Sequence, residues 1–540
     1  MPTAASKQTN QPDRSSIWTL ALILLVSAAI RLPLLNIPFE RDEGEYAYIS
    51  WRMGHGEVAY RDWVDQKPPA IFWVYRLALM LPLPGIAAVH LAALIWSAAS
   101  ACALFYLARR FMSVFAAGAA SVLFAILLAD PMINGTAANT ELFMLLPLIL
   151  SQLVFFHALS ATRRKILLIV LCGALIGLAS AFKQVAVVNW PFLVAISAIF
   201  ATKEKRLVGT FSFACWSALG GAGVWAVIAG YFFLRGGFDQ FVYNVFTHNF
   251  QYVSALPGPV RWANFQQTIS ALRPSQITVW IFAGASLFML RPIGGWKWLL
   301  FVMGWLMTSL IGTAASGYFF PHYFQQLLPA LALAALLGGE RISQLPWLGW
   351  APLALRRSAF ALILVIPFGT VFYPFLFKYT PAEAVQKIYP GNYFELMPEL
   401  GARLAQATRP EDKVFIFGTE PELLFYAQRV SATRYIFLFP LYGPYPDALA
   451  KQRGTVEEIS RTRPAAIFYS PNVLFRSPNS ELYLTRWTQD YIRQNYAPDA
   501  YITRDASRVL RLRTGSPGLP PAIPTGERAL GTLYLRNLRD

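Results

Sequence analysis

The sequence predicts an α-helical polytopic membrane protein of about 11 spans with a C-terminal outward-facing α/β domain. Three observations carry that prediction. Of the 540 residues, 56 % are hydrophobic and 14 % are charged, against about 25 % charged in an average soluble domain. The apolar residues lie in long runs, and the mean hydropathy is +0.42; a β-barrel would show short alternating segments instead. Lysine and arginine gather in short clusters between the runs, as topology signals do.

Residues 1–16 are polar and read as a cytoplasmic tail. The first apolar run, 17–35, is too long for a cleaved signal and reads as a retained span. A charged stretch follows, within an outward loop at 37–67, and then a short Pro-bounded apolar segment, 68–83, with the character of an interfacial helix. Further spans are expected near 85–107, 112–129, 142–160, 166–182, 185–201 and 207–234. A long connecting segment, 235–273, precedes four more near 275–290, 296–315, 322–338 and 358–377.

The basic clusters at 109–110, 163–165, 203–206, 291–297 and 341–357 fall at every second boundary. The positive-inside rule then puts the N-terminus in the cytoplasm and the loops starting at 36, 130, 183, 235 and 316 outside. The transmembrane domain is read as 17–377 and the outward domain as 378–540. In the latter, NYFELMPELGARLAQAT and EPELLFYAQR read as helices and DKVFIFG and RPAAIFYSP as strands, while 514–525 reads as a Pro/Gly linker.

The net charge of +17 does not point to nucleic acid, because the basic residues of the first part mark span boundaries and form no patch. Cys102, Cys172 and Cys215 lie in apolar runs without CxxC or Cys/His spacing, so neither a disulfide framework nor a zinc site is encoded.

The first loop is chemically unlike the rest. Glu40, Asp42, Glu43, Glu45, Glu57, Asp62 and Asp65 stand among Arg41, Arg52, Arg61 and Lys67, with Tyr46, Tyr48, Trp51, Tyr60 and Trp63 interleaved. A carboxylate at the membrane face acts as a general base when partial desolvation raises its pKa; the residues alone do not choose between Asp42 and Glu43. Lys67 precedes the stiff Pro68-Pro69 pair, and Lys183 sits at an outward turn between two apolar runs, a costly place without a purpose. Glu141 opens a span after Asn139-Thr140, a good N-cap, and His322 opens another, followed by Tyr323, Gln325 and Gln326.

The string RDEGEYAYISWRMGHGEVAYRDWVDQKPP resembles the first periplasmic loop of bacterial lipid-linked-sugar glycosyltransferases. These GT-C enzymes are related to the protein O-mannosyltransferases and to the aminoarabinose transferase of lipid A. The shared marks are Asp42-Glu43 after the first span, Tyr46-Ala47 shortly after, and Lys67-Pro68-Pro69 closing the loop, with HYFQQLLPALAL further on. The GEVAYRDWVDQ phrasing departs from the lipid A enzymes, and no MIR-type domain is present.

The resemblance implies an inverting glycosyltransferase of the cytoplasmic membrane that moves a sugar from a polyprenyl-phosphate donor to a hydroxyl on a lipid, glycan or protein. It implies Asp42 as the base, with Glu43 and Glu141 as further catalytic carboxylates, and Lys67, Lys183 and His322 as donor-phosphate ligands. Tyr46, Arg61, Tyr323 and Gln325 are expected to contact substrate. No cofactor is certain from the resemblance, among whose enzymes metal dependence varies; the loop could hold a divalent metal through Asp42 and Glu141, yet carboxylates alone do not establish one. A transporter of lipid-linked sugars, or a non-catalytic glycan-binding membrane subunit, is the alternative. Transporters tend to carry charge at mid-membrane on broken helices and to show an internal repeat, and neither is visible here.

Overall fold

The computed structural model describes residues 14–204, 206–254, 256–288, 295–443, 445–471, 482–515 and 521–537. Most of the expected tail at 1–16, Arg291 of one basic cluster, and part of the linker at 514–525 lie outside the described residues.

The chain opens with α1 (Arg14–Arg31), extended by a 3-10 turn at Leu32–Leu34. The charged loop is largely helical: α2 (Arg41–Met53) leads through an irregular strap to α3 (Ala70–Ala78), a short helix where an interfacial one was expected. The bundle continues with α4 (Gly85–Ala108), α5 (Val114–Ala129), α6 (Thr140–Ser160), α7 (Lys165–Ser180), α8 (Asn189–Phe200) and α9 (Arg206–Leu234). Among the described residues six helices are long and apolar enough to cross a membrane, and three stretches, Val114–Ala129, Lys165–Ser180 and Gln184–Phe200, are apolar but shorter.

Burial separates the helices by position. The apolar window of α6 is 67 % buried and that of α4 is 61 %, against 22 % for α1 and α9. The peripheral helices keep large apolar side chains on their outer faces: Leu207, Phe211 and Leu234 on α9 are 83, 71 and 83 % exposed. Such a face suits contact with lipid. Where helices touch, glycine lets backbones close in: a Cβ at Gly173 on α7 would lie 1.8 Å from the Ser217 carbonyl oxygen on α9, and one at Gly220 would lie 2.0 Å from that of Val170.

The segment 235–273 is not a simple loop. It forms α10 (Phe238–Val242), a π turn at Tyr243–Thr247, α11 (His248–Ser254) and the first half of α12 (Gly258–Ala285). The span expected at 275–290 is therefore the second half of a longer helix, which carries Pro274 inside it. After α13 (Trp296–Ala314), residues Pro321–Leu327 wind as a 3-10 helix before α14 (Leu328–Ser343), so His322 precedes the α-helix it was expected to open. Then α15 (Leu353–Phe377) closes the apolar part.

The last part begins with α16 (Pro381–Ile388), capped by Thr380 and Glu383, and α17 (Met397–Ala407). Strands β1 (Lys413–Phe417), β2 (Val430–Ser431), β3 (Ala466–Tyr469), β4 (Tyr496–Arg504), β5 (Leu510–Thr514) and β6 (Arg528–Arg536) form one mixed sheet among the described residues, in the order β2-β1-β3-β6-β4-β5. β1 pairs parallel with β2 and β3; the other pairings are antiparallel. The expected strands are β1 and β3. Helices α18 (Glu422–Ala427), α19 (Phe439–Tyr442), α20 (Ala448–Thr462) and α21 (Tyr483–Asn495) connect them. This domain sits on the charged loop. A Cβ at Gly44 of α2 would come within 2.3 Å of Glu422 Cβ, Tyr48 O–H accepts the Ser431 N–H at 2.9 Å, and Tyr426 O–H accepts the Phe39 N–H at 2.8 Å.

Candidate active site

The site is built on the first turn of α2. Glu40 and Glu43 close a capping box over that turn, and the positive end of the helix dipole favours carboxylates there. Glu43 turns away from solvent to do this. It is 2 % exposed and accepts hydrogen bonds from the Glu40 N–H at 3.3 Å and the Ala138 N–H at 2.7 Å, and it lies 2.9 Å from His90 Nε2. Asp42, one residue earlier, points the other way.

Asp42 Oδ2 accepts from Lys67 Nζ at 2.9 Å and from the Tyr46 hydroxyl at 3.4 Å. Lys67 is held at three points of its strap: its N–H donates to Asp65 Oδ1 at 2.8 Å, its carbonyl accepts the Tyr60 hydroxyl, and the preceding Gln66 carbonyl accepts from Asn249 at 2.6 Å. With Pro68-Pro69 beyond it, the ammonium is aimed before any ligand arrives. Burial pushes the Asp42 carboxyl up, but Lys67 and then His322 outweigh it and hold the group below the usual carboxylate range. Burial also disfavours the Lys67 ammonium, and Asp42 more than compensates, so Lys67 stays charged.

A second ion pair faces the first. Lys183, in the turn after α7, pairs with Glu141 and rests 3.5 Å above the Tyr323 ring. Burial lowers Lys183 to about 8, Glu141 opposing it. Glu141 does not cap its own helix: it accepts the Thr140 hydroxyl at 2.8 Å and lies 3.9 Å from His322 Nε2.

Two cavities meet at this cluster. The first, about 310 Å³, is lined by Asp42, Lys67, His322 and Tyr323, and also by Glu40, Arg41, Glu45, Asp65, Asn134, Tyr389 and Asn392. Thr419, Phe437 and Phe439 of the C-terminal domain complete its wall. The second, about 260 Å³, is largely apolar, with Val185, Val245, Phe246, Phe250, Val253 and Ala315 in its lining and Lys183 as its cation. They share Tyr252 and Tyr323, whose hydroxyls lie 3.3 Å apart.

Of the residues singled out in the sequence, Asp42, Lys67, His322 and Tyr323 line the first cavity, Lys183 and Tyr323 the second, and Tyr46 and Glu141 stand directly behind them. Three are placed elsewhere. Glu43 is committed to the capping box and His90. Arg61 pairs with Asp62 and donates to the Arg235 carbonyl. Gln325 is fully buried and donates to the Ile133 carbonyl at 3.3 Å. Among the described residues no group of three or more His, Cys, Asp or Glu is arranged to hold a metal ion, and Asp42 and Glu141 are each paired with a lysine.

Sequence reasoning missed Tyr252, Asn392, Thr419, Phe437 and Phe439. Aromatic residues are 15 % of the chain, so none stood out, and no spacing announces that residue 419 meets residue 41.

A family model described as dolichyl-phosphate-mannose-protein mannosyltransferase matches residues 66–229. No curated protein matches the sequence. Among solved structures, ArnT from Cupriavidus metallidurans bound to undecaprenyl phosphate is similar at 17 % identity and TM-score 0.58, with 97 % of this chain and 98 % of that one covered. The archaeal oligosaccharyltransferase AglB from Archaeoglobus fulgidus, in complex with an inhibitory peptide and a dolichol-phosphate, is similar at 12 % identity and TM-score 0.57, over 97 % of this chain and 76 % of that one. The mycobacterial arabinofuranosyltransferase AftD matches at 13 % identity and TM-score 0.55, where this chain spans 40 % of the longer protein. Together the solved structures give the chain the GT-C fold that its first loop implied.

Proposed function

We propose that the protein is an inverting glycosyltransferase that moves a hexosyl or pentosyl group from a polyprenyl-phosphate donor to an acceptor hydroxyl on an envelope lipid, glycan or protein. The reaction takes place at the outer face of the cytoplasmic membrane. One observation carries this reading: two lysines, each paired with a carboxylate, stand where a polar cavity meets an apolar one. A polyprenyl-phosphate sugar has that same division, with an apolar chain, an anionic joint and a polar head.

In this reading the chain lies along the apolar cavity and the phosphate exchanges places with the carboxylates on Lys67 and Lys183, with His322 beside it. The sugar enters the polar cavity. An acceptor hydroxyl, oriented by Asp42, attacks the anomeric carbon from the side opposite the phosphate. The bond to the phosphate oxygen breaks, and the lysines meet the charge that develops there, the kind of preorganised stabilisation that is commonly the largest catalytic contribution. A single displacement inverts the anomeric centre. The complexes of ArnT with undecaprenyl phosphate and of AglB with a dolichol-phosphate and a peptide support the donor class.

The test is transfer of radiolabelled sugar from polyprenyl-phosphate donors by purified protein, with membrane extract as the acceptor pool. Labelled product bearing the inverted linkage is expected. Absence of transfer with every donor, from protein that still binds polyprenyl phosphate, sinks the reading.

A further inference from the structure

The site contains two buried carboxyl groups that the transfer so far leaves without a role. Glu45 lies one turn along α2 from Asp42, and Asp65 lies two residues before Lys67; both line the polar cavity. They are 4 % and 0 % exposed. Glu45 Oε1 and Asp65 Oδ2 have no hydrogen-bond partner, so each carboxyl group carries a buried, unsatisfied oxygen beside the same cavity. Neighbouring buried carboxyl groups do not both ionise: burial raises both, the Asp65 charge raises Glu45 further, and hydrogen bonding from a protonated Glu45 lowers Asp65. The pair is a one-proton unit, and the Lys67 N–H pins it at Asp65 Oδ1.

Transfer liberates one proton. The acceptor oxygen bonds to the anomeric carbon, its O–H bond breaks, and the bond to phosphate breaks with its electron pair on the phosphate oxygen. The proton needs a base in the same cavity. Asp42 is poorly suited to keep it: the Tyr46 hydroxyl binds its Oδ2, and Lys67, which pairs with it before the donor arrives, lies in the same cavity and favours its ionised form even when it has turned to the phosphate.

We propose that the Glu45–Asp65 pair is the proton store of the transfer reaction, holding one proton at rest and taking the acceptor's as its second, while Asp42 positions the hydroxyl. This rests on the glycosyl-transfer reading above. Burial pushes the Asp65 carboxyl up to about 6, with Lys67 drawing it partly back, so it is ionised at neutral pH and still basic enough to accept. Burial and then the neighbouring Asp65 and Asp42 charges raise Glu45 well above the usual carboxylate range, while the Lys67 N–H on Asp65 Oδ1 favours the ionised form there, so Glu45 is the acid of the pair. The titratable and charged groups facing the pair are Asp42 and Tyr46 on α2 and Tyr60 and Lys67 on the strap.

The experiment is the pH profile of sugar transfer by the full-length protein, wild type beside three variants. Because transfer needs ionised Asp65, the wild-type rate is expected to fall as pH drops through about 6. Asp65→Asn should lose that acid limb and about 10²-fold in rate, with binding of undecaprenyl phosphate retained. Glu45→Ala removes a hydrogen bond that lowers Asp65, so its acid limb should move to higher pH, and Glu45→Gln, which still donates, should hold it in place. An Asp65→Asn enzyme with the wild-type rate and limb overturns the proposal.

Infrared spectroscopy at neutral pH reads the pair without any turnover. The wild-type minus Glu45→Gln difference spectrum is expected to show one carboxylic-acid carbonyl band; a difference spectrum without that band overturns the proposal. If the wild type transfers nothing, the glycosyltransferase reading fails, and the infrared result still decides whether the pair holds a proton.

Discussion

Asp42 and Glu43 are neighbours in sequence with opposite duties. Asp42 faces the cavity and Lys67; Glu43 satisfies a helix end, a loop N–H and His90 in the interior. Asp42→Asn is therefore expected to lower transfer by about 10²-fold, with a lower melting temperature as well because the buried Lys67 loses its paired charge. Glu43→Ala leaves buried donors without an acceptor and should lower stability by about 1–3 kcal/mol, read by thermal denaturation in detergent. At this scale the sequence was legible where charge stood in the wrong place for a membrane protein. Asp42, Lys67, Lys183, Glu141 and His322 were all visible for that reason, and the structure gathers them at one cluster. The duty of Glu43 was not visible, because a one-residue step on a helix turns a side chain by about 100° and only the surroundings say which direction is inside.

The elements set how firmly the cluster is held. α2 is clamped between the bundle and α18, and the closeness of that contact depends on Gly44 lacking a side chain. Gly44→Ala should push α2 off Glu422 and lower the melting temperature, with faster proteolysis of the C-terminal domain as a second readout. A valine at Gly173 should likewise part α7 from α9, since the space there is occupied by the Ser217 backbone; lower yield of folded protein on size-exclusion chromatography is the check. Hydropathy found the helices well and their ends less well. α12 starts at Gly258, inside a segment that read as a connection, because its first half is too polar for a span and was set aside on that ground. The strands β1 and β3 announced themselves as short apolar runs, whereas β6 has a mixed pattern of buried and exposed residues and joins the sheet between β3 and β4 only through pairing far along the chain.

At the scale of the molecule, the cavity belongs to neither part alone. The bundle supplies the cations and carboxylates, and the C-terminal domain supplies Thr419, Phe437 and Phe439. Arg41 ties the two together, donating to the Thr419 carbonyl at 2.7 Å and to Asn392 at 3.2 Å. Arg41→Ala should therefore weaken acceptor use, seen as a raised KM for acceptor with donor binding little changed. The division of labour explains why the charged cluster was readable from one loop while the shape of the cavity was not: the loop is contiguous in sequence, and the cavity is assembled from segments more than 300 residues apart. The central claim is that Asp42 and its lysine partner form the reacting centre for a lipid-linked sugar. The most direct measurement compares transfer of radiolabelled sugar from a polyprenyl-phosphate donor by wild type and Asp42→Asn protein, purified side by side. Transfer by the wild type with a loss of about 10²-fold or more in the variant is the predicted result. Equal transfer by both would contradict it.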